Sequence, residues 1–186
     1  MQLLSIFLGI CLVFLVGCSS PTAQIPSTQT DSATSSQISP QEIKVDETWQ
    51  IATGQTIYVP IYSEIYFFNR TKTMQLAATL SVRNTDLQHP IIITSVKYYN
   101  SDGNLVREHL ETPLRLAPLA STDFIVEQND RTGGSGANFL VEWIAETEVY
   151  EPIVEALMVS TTSQQGISFV SQGRVIESKS ATVPTP

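Results

Sequence analysis

The feature that most constrains the fold is an alternation with a period of two that runs through residues 49–178. In the segment 76–83 (LAATLSVR), large or apolar side chains recur at every second position, namely Leu76, Ala78, Leu80 and Val82. Successive side chains of a β-strand point to opposite faces, so this alternation is typical of a half-buried strand. The region is therefore predicted to fold as β-structure.

Eight further segments have the composition of strands: 56–62, 91–99, 105–110, 114–117, 122–127, 137–145, 153–161 and 167–177. Segment 91–99 ends at an Asp102-Gly103 pair, which supplies the positive φ angles of a hairpin turn. Segment 151–160 could also form a helix, but its β-branched Ile153, Val154 and Val159 favour a strand. We predict an all-β fold, an antiparallel immunoglobulin-like β-sandwich of about 7–9 strands.

The N-terminus differs from this domain, because no charged side chain occurs before Asp31 and residues 3–17 are mostly apolar. A membrane-spanning helix needs about 20 apolar residues, so this shorter run is typical of a secretory signal. The ending Leu15-Val16-Gly17-Cys18 resembles the lipobox of bacterial lipoproteins. That resemblance implies cleavage before Cys18, diacylglycerol on its thiol and an acyl chain such as palmitate on its amine. The alternative is an uncleaved signal that anchors the chain in the inner membrane.

The sequence divides the chain into four parts. Residues 1–17 are the predicted signal peptide, and residues 18–48 are a lipidated Cys followed by a disordered tether rich in Ser, Thr, Pro and Gln. Residues 49–178 form the predicted β-sandwich, and residues 179–186 form a disordered tail. An exported, lipid-anchored protein that faces the periplasm is expected, on either the outer or the inner membrane.

Charge and cysteine content exclude several functions. The net charge of −8 argues against nucleic acid as a partner, since a phosphate backbone requires a basic surface. Of the two cysteines, Cys11 lies in the predicted signal and Cys18 would carry lipid, so no thiol is left for catalysis or metal binding. No cofactor motif is present, and we expect no cofactor, no metal site and no catalytic residues.

Six segments of the domain resemble one family of bacterial proteins: 58–63 (YVPIYS), 80–86 (LSVRNTD), 95–103 (SVKYYNSDG), 116–122 (LAPLAST), 133–143 (GGSGANFLVEW) and 165–174 (QGISFVSQGR). This is the domain-of-unknown-function family 3124, found in exported proteins and lipoproteins of cyanobacteria and proteobacteria. The resemblance covers nearly all of 54–176. It implies no activity and no functional residues, because the family has no assigned function.

The best candidate for a binding surface is a series of tyrosines, Tyr58, Tyr62 and Tyr66, which would share one face of an extended strand. Exposed tyrosines stack on sugars or anchor a protein partner, although an edge strand that merely covers the sheet is the simpler interpretation. The loop 133–138, with Gly134, Ser135 and Asn138, is added to this surface, since its glycines allow positive φ or the approach of an anion.

Glu142 and Glu155 interrupt otherwise apolar strands, and paired carboxylates hydrolyse glycosidic bonds. Glu142 is expected either on a partly exposed sheet face or as a buried polar group with a partner such as Arg83 or Arg174. We expect a binding or interaction module that contacts another envelope protein or a glycan. The alternatives are a glycan-binding module or a carboxylate-dependent glycan hydrolase, and a structural or assembly lipoprotein.

Overall fold

The computed structural model of the chain describes residues 40–43, 50–161 and 166–180. The predicted signal peptide, Cys18 and the tether apart from residues 40–43 lie outside this range, as do tail residues 181–186. The described residues form thirteen strands and one 3₁₀ turn, with antiparallel pairing in every sheet. The prediction of an all-β, antiparallel sandwich is confirmed.

The larger sheet has seven strands: β1 (Gln41–Glu42), β2 (Thr53–Pro60), β6 (Ile91–Tyr99), β7 (Leu105–Glu108), β8 (Leu114–Leu116), β10 (Asn138–Ala145) and β13 (Arg174–Ser180). Their order is β1-β8-β6-β10-β2-β13. Strand β8 pairs with the first residues of β6, and β7 pairs with the last residues of the same edge. The smaller sheet contains β5 (Ala77–Arg83), β9 (Ser121–Val126), β11 (Ile153–Ser160) and β12 (Ile167–Gln172), in the order β12-β11-β5-β9. A separate hairpin pairs β3 (Glu64–Phe67) with β4 (Asn69–Gln75).

The core lies between the two sheets and follows the alternation of the sequence. The larger sheet contributes buried side chains from its central strands, including Val59, Val96, Tyr98, Phe139, Val141 and Trp143. The smaller sheet contributes Ala78, Leu80, Val82, Val154, Ala156 and Met158. Glu142 and Tyr58 alternate with these buried residues and therefore point away from the core.

Gly173 divides the predicted strand 167–177 into two strands that belong to different sheets. A Cβ atom at this position would lie 2.6 Å from Ile57 Cγ2 and 2.7 Å from the carbonyl oxygen of Val154. The Gly173 amide donates to that same carbonyl over 2.8 Å. Only a residue without a side chain lets the backbone cross from β12 to β13 so close to the core.

The strand count differs from the predicted 7–9 because of short or divided elements. The hairpin β3–β4 was not predicted, since its exposed residues lack a clear alternation. Two boundaries also move. Residues 41–42, assigned to the tether, pair with β8, and Lys179 and Ser180, assigned to the tail, pair with β2. In both cases the unpaired backbone of a sheet edge accepts polar residues that have no strand pattern of their own.

The loops of the sandwich gather at two ends. The hairpin end contains residues 61–63, 100–104 and 127–137, joined by backbone bonds from Ser63 to Gly134 and from Ser101 to Gly133. The Asp86 end contains residues 84–90, 117–120 and 146–152, joined by bonds such as that from Leu119 to Asp86. Strand β10 runs from one end to the other, a distance of about 24 Å.

Candidate functional site

The three candidate tyrosines do not share one strand, so the predicted stripe is wrong. Strand β2 ends at Pro60, the chain bends at residues 61–63, and Tyr66 lies on the separate strand β3. Tyr58 is half-buried on the outer face of the larger sheet, opposite Leu140 and Arg174. Tyr62 lies in the bend and makes an edge contact with Phe169, with ring centroids 5.8 Å apart.

The remaining candidates fall into the same two groups. Asn138 begins β10 opposite Pro60 and Tyr99, and it shares the outer sheet face with Tyr58. Gly134 and Ser135 belong to the 3₁₀ turn Gly134–Gly136 at the hairpin end, where Tyr62 and Tyr66 also lie. The structure thus places Tyr62, Tyr66, Gly134 and Ser135 at the hairpin end, whereas Tyr58 and Asn138 lie on the outer face of the larger sheet.

The hairpin end carries an aromatic projection that the sequence analysis missed. We call it the hairpin tip and define it as residues 66–72. Tyr66, Phe67 and Phe68 are 56%, 45% and 92% exposed, and the exposed Arg70 and Lys72 follow them. Residues 66–70 line a surface hollow of about 640 Å³. A clear sequence signal existed, namely three consecutive aromatic residues followed by bases in a stretch without acids.

The turn of this hairpin places a bulky residue in an unusual backbone conformation. Phe68 has φ of +66°, a region that non-glycine residues seldom adopt and that costs about 1–3 kcal/mol. Asn69 Oδ1 accepts hydrogen bonds from the Thr71 amide over 3.0 Å and from the Thr71 hydroxyl over 2.7 Å. These local bonds hold the turn, and the Phe68 side chain projects into solvent.

The base of the hairpin is attached to the sandwich by several contacts. The Leu76 amide donates to the Ser63 carbonyl, and the Ser63 hydroxyl donates to the Gly134 carbonyl over 3.0 Å. Gln128 Nε2 donates to the Gln75 carbonyl over 3.2 Å, and Ile65 packs against the core. The hairpin therefore has a fixed base and an exposed tip.

The glycine loop 133–137 serves first as a structural connection. Gly134 has φ of +73°, in agreement with the predicted need for positive φ. The Gly136 amide donates to Ser101 Oγ over 2.8 Å, and that hydroxyl donates to the Gly133 carbonyl over 2.9 Å. Because the Gly136 amide already donates to Ser101 Oγ, it is not available to an anionic ligand.

Gly133 is required by its contact with Tyr98. A Cβ atom at Gly133 would lie 1.9 Å from the Tyr98 hydroxyl oxygen and 2.9 Å from Ala137 Cβ. The Tyr98 hydroxyl is buried near Ser63 and Thr132, without a well-aligned hydrogen bond among the described residues, and burial raises the pKa of Tyr98. Because Gly133 has no side chain, the buried hydroxyl group of Tyr98 fits beside it.

The two candidate glutamates lie in different sheets and each contacts a base. Glu142 Oε2 is 2.9 Å from Lys179 Nζ, so its partner is neither Arg83 nor Arg174. Glu155 Oε1 is 3.9 Å from Arg83 on the neighbouring strand. Glu155 also shares a surface hollow of about 570 Å³ with Asp123, since both residues flank Ser81 in one row of the smaller sheet.

At the Asp86 end, a buried polar cluster joins three loops. The Asn84 side-chain amide donates to the carbonyls of His89, Leu116 and Ala117, and Asn84 Oδ1 accepts from the Asp86 amide. The Asp86 carboxylate accepts from the amides of Gln88 and His89, and these bonds lower its pKa from 3.8 to about 2. The segment Asn84-Thr85-Asp86 therefore has a structural role, because its polar side chains hold the loops at this end in place.

Neither histidine belongs to a metal-ligand set. His89 Nδ1 is 3.2 Å from Asp86 Oδ1, while the His109 ring contacts Phe124 and Phe139 between the sheets. Burial lowers the pKa of His109, and Arg107 adds to this effect. Within residues 40–43, 50–161 and 166–180, no three His, Cys, Asp or Glu side chains lie close enough together to hold a metal ion.

The described parts of the chain also contain no helix long and apolar enough to cross a membrane. Of the predicted site residues, Cys18 lies outside these parts, so its lipidation stays a prediction.

Comparison with known proteins gives a family and a distant structural similarity. The profile of the family described as "Protein of unknown function (DUF3124)" matches residues 54–176. No curated protein matches the chain. The solved structure described as "Crystal Structure of Thermotoga maritima 1070" has 11% sequence identity and a TM-score of 0.40, and the similarity covers 64% of this chain and 92% of that chain.

Proposed function

Since the chain belongs to the DUF3124 family of proteins of unknown function, we propose from its own residues that it is an exported bacterial lipoprotein whose β-sandwich binds a component of the cell envelope. The predicted signal and the lipobox-like segment ending at Cys18 support the export and the anchor. The sandwich faces the periplasm, and either the outer or the inner membrane carries the lipid.

The anchor is tested by labelling cells with a radioactive or alkyne-bearing fatty acid. The wild-type chain is expected to take up label and to accumulate as a precursor when globomycin blocks lipoprotein processing. Cys18→Ser abolishes both effects, whereas Cys11→Ser, in the segment that is removed, leaves the label in place. Equal labelling of the Cys18→Ser chain would contradict lipidation at this residue.

The observation that carries the binding role is the exposed aromatic surface at the hairpin end. Tyr66, Phe67 and Phe68 are exposed side by side on an element whose base is fixed to the sandwich. Exposed aromatic clusters are costly in water and mark contact surfaces in folded proteins. The expected partner classes are another envelope protein, a glycan or the membrane itself.

Site-specific photocrosslinking in living cells tests this surface. A photoreactive phenylalanine analogue replaces Phe68 in the full chain, and the adduct is identified by mass spectrometry. The same analogue at Tyr150, which is 70% exposed at the Asp86 end, is the matched control. A defined envelope component is expected only from position 68. Equal yields from both positions would contradict a contact surface at the hairpin end.

A second candidate, glycan hydrolysis, is favoured by one observation. Asp123 and Glu155 line one hollow and flank Ser81, so their Cα atoms are about 10 Å apart. Inverting glycosidases hold their two carboxyl groups about 6.5–9.5 Å apart. Release of sugars from cell-wall glycan by the wild-type chain, lost in both Asp123→Asn and Glu155→Gln, would support hydrolysis. Unchanged release in either variant contradicts it.

A structural or assembly lipoprotein is the remaining alternative. It predicts an adduct from position 68 to one envelope protein, together with a changed envelope when the gene is deleted.

A further inference from the structure

We propose that the hairpin tip docks on the surface of an anionic phospholipid bilayer. The inference rests on the proposed function, because it assigns a partner to the same contact surface at the hairpin end. It goes beyond that function by naming lipid, and not protein or glycan, as the component bound.

The first argument is the apolar part of the tip. Phe68 is 92% exposed in a backbone conformation that directs it into solvent, with Phe67 and Tyr66 beside it. Aromatic residues are enriched at the membrane–water interface, where the ring is buried and a polar group such as the Tyr hydroxyl stays hydrated. Transfer of one such ring out of water favours docking by about 10- to 100-fold.

The second argument is the local charge. Residues 65–85 contain no Asp or Glu but include Arg70 and Lys72 at the tip, although the whole chain has 18 acids and 10 bases. Each base near an anionic membrane surface contributes about 1 kcal/mol, which corresponds to roughly fivefold in the docking equilibrium. The hairpin tip therefore presents two bases and no acid to an anionic surface, although the protein as a whole is acidic.

The third argument is the position of base relative to ring. Lys72 Nζ lies 5.6 Å from the centroid of the Phe68 ring. Interfacial segments bury their apolar side about 5–10 Å into the boundary between headgroups and acyl chains. A Phe68 ring at this depth would keep the Lys72 ammonium group within 5.6 Å of it, close enough to reach the lipid phosphates.

The surrounding structure leaves the tip accessible to such a surface. Within the described residues, β4 pairs only with β3, so no neighbouring strand covers its edge. The base is fixed by Ser63, Leu76 and Gln128, so docking needs little additional ordering of the chain. A lipid on Cys18 would keep the domain close to the bilayer, where weak docking becomes effective.

The test measures docking of the full chain reconstituted in vesicles. Phe68→Trp places a fluorophore at the tip, and nitroxide-labelled lipid quenches it when the tip enters the bilayer. Vesicles of equal parts phosphatidylglycerol and phosphatidylcholine are compared with vesicles of phosphatidylcholine alone. The unsubstituted chain supplies the background of the native tryptophans, and Tyr150→Trp reports the Asp86 end.

Strong quenching of Phe68→Trp is expected in the phosphatidylglycerol vesicles only, and it decreases as salt is added. Combining Arg70→Gln with Lys72→Gln is expected to lower the docking equilibrium by about 30-fold. The double control Lys97→Gln and Arg115→Gln makes the same change of net charge on the larger sheet and leaves docking unchanged. All four side chains lie at least partly in solvent, so the fold tolerates their replacement.

Several results would overturn the inference. Equal quenching in neutral and anionic vesicles would show that docking does not depend on lipid charge. Equal loss of docking in the two double variants would show that Arg70 and Lys72 have no specific role. A photoadduct from position 68 to a protein or a glycan would also refute lipid docking, but it would leave the proposed binding function standing. A lipid adduct from position 68 supports both, and no adduct contradicts both.

Discussion

The polar cluster at the Asp86 end makes Asn84→Ala the most informative stability variant. The Asn84 side-chain nitrogen lies 2.9 Å from the His89 carbonyl oxygen, 3.2 Å from that of Leu116 and 3.0 Å from that of Ala117. Its Oδ1 accepts from the Asp86 amide over 2.9 Å. Alanine removes these side-chain bonds, although the Ala117 carbonyl still accepts from the Ala120 amide over 3.1 Å.

The expected cost follows from this geometry. The two amide protons are shared among three carbonyls, and the oxygen serves one further amide, so at least three hydrogen bonds disappear. Asn84 is only 2% exposed, so water does not readily replace them. At about 1–1.5 kcal/mol for each bond, loss of three bonds lowers the free energy of unfolding by about 3–4.5 kcal/mol. That is a large part of the roughly 5–15 kcal/mol that stabilises a typical domain.

Urea unfolding, followed by the fluorescence of the buried Trp143, measures the change. The midpoint is expected to fall with an unchanged slope, since the surface exposed on unfolding stays the same. Asn69→Ala is the matched control, because Asn69 makes two similar bonds at an exposed position and is expected to cost less than about 1 kcal/mol. Equal, small costs for Asn84→Ala and Asn69→Ala would refute the reasoning from burial.

Three further predictions concern the packing and the titration of the core. Gly133→Ala is expected to lower the free energy of unfolding by about 1–3 kcal/mol through overpacking. Tyr98→Phe in the same chain should restore part of this stability, because the closest clash is with the Tyr98 hydroxyl. A double-mutant cycle in urea measures the coupling, and strictly additive effects would contradict the contact. Gly173→Ala places Cβ against the Val154 carbonyl and is expected to lower the thermal midpoint, so an unchanged midpoint would exclude the close approach. His109 has a lowered pKa in the folded chain, so the unfolded chain binds the proton first as pH falls below 6.5, and the stability of the fold decreases. His109→Gln should therefore weaken the pH dependence of the urea midpoint between pH 7 and 5. An unchanged pH dependence would contradict this role of His109.

Much of the fold was predictable because strand periodicity is local. The β-branched residues of 91–99 and the alternation of 76–83 predicted β6 and the whole of β5, and Ile153 and Val159 correctly favoured a strand over a helix. The division at Gly173 was not predictable, since it depends on the distance to Ile57 in another strand. The edge residues Gln41 and Lys179 were missed for a related reason, because sheet pairing and not their own composition places them in strands.

The candidate surface was less predictable than the fold. A spacing of four between tyrosines places them on one face only if the strand continues, and the bend at Ser63 interrupts it. The same bend brings Ser63 into hydrogen-bond contact with Gly134 of the glycine loop, a contact that spans 71 residues of sequence. Glu142 forms an ion pair with Lys179, a residue that the sequence analysis assigned to the tail.

The sequence by itself determined the strand-forming character of the domain and its family, and it predicts export and a lipid on Cys18. These properties depend on composition and short-range patterns, which need no knowledge of distant contacts. Only the tertiary structure decided which strands share a sheet, which polar residues support loops and which aromatic residues remain exposed. Burial is a property of the whole packed chain, so three aromatic residues that could have joined the core instead form the exposed hairpin tip.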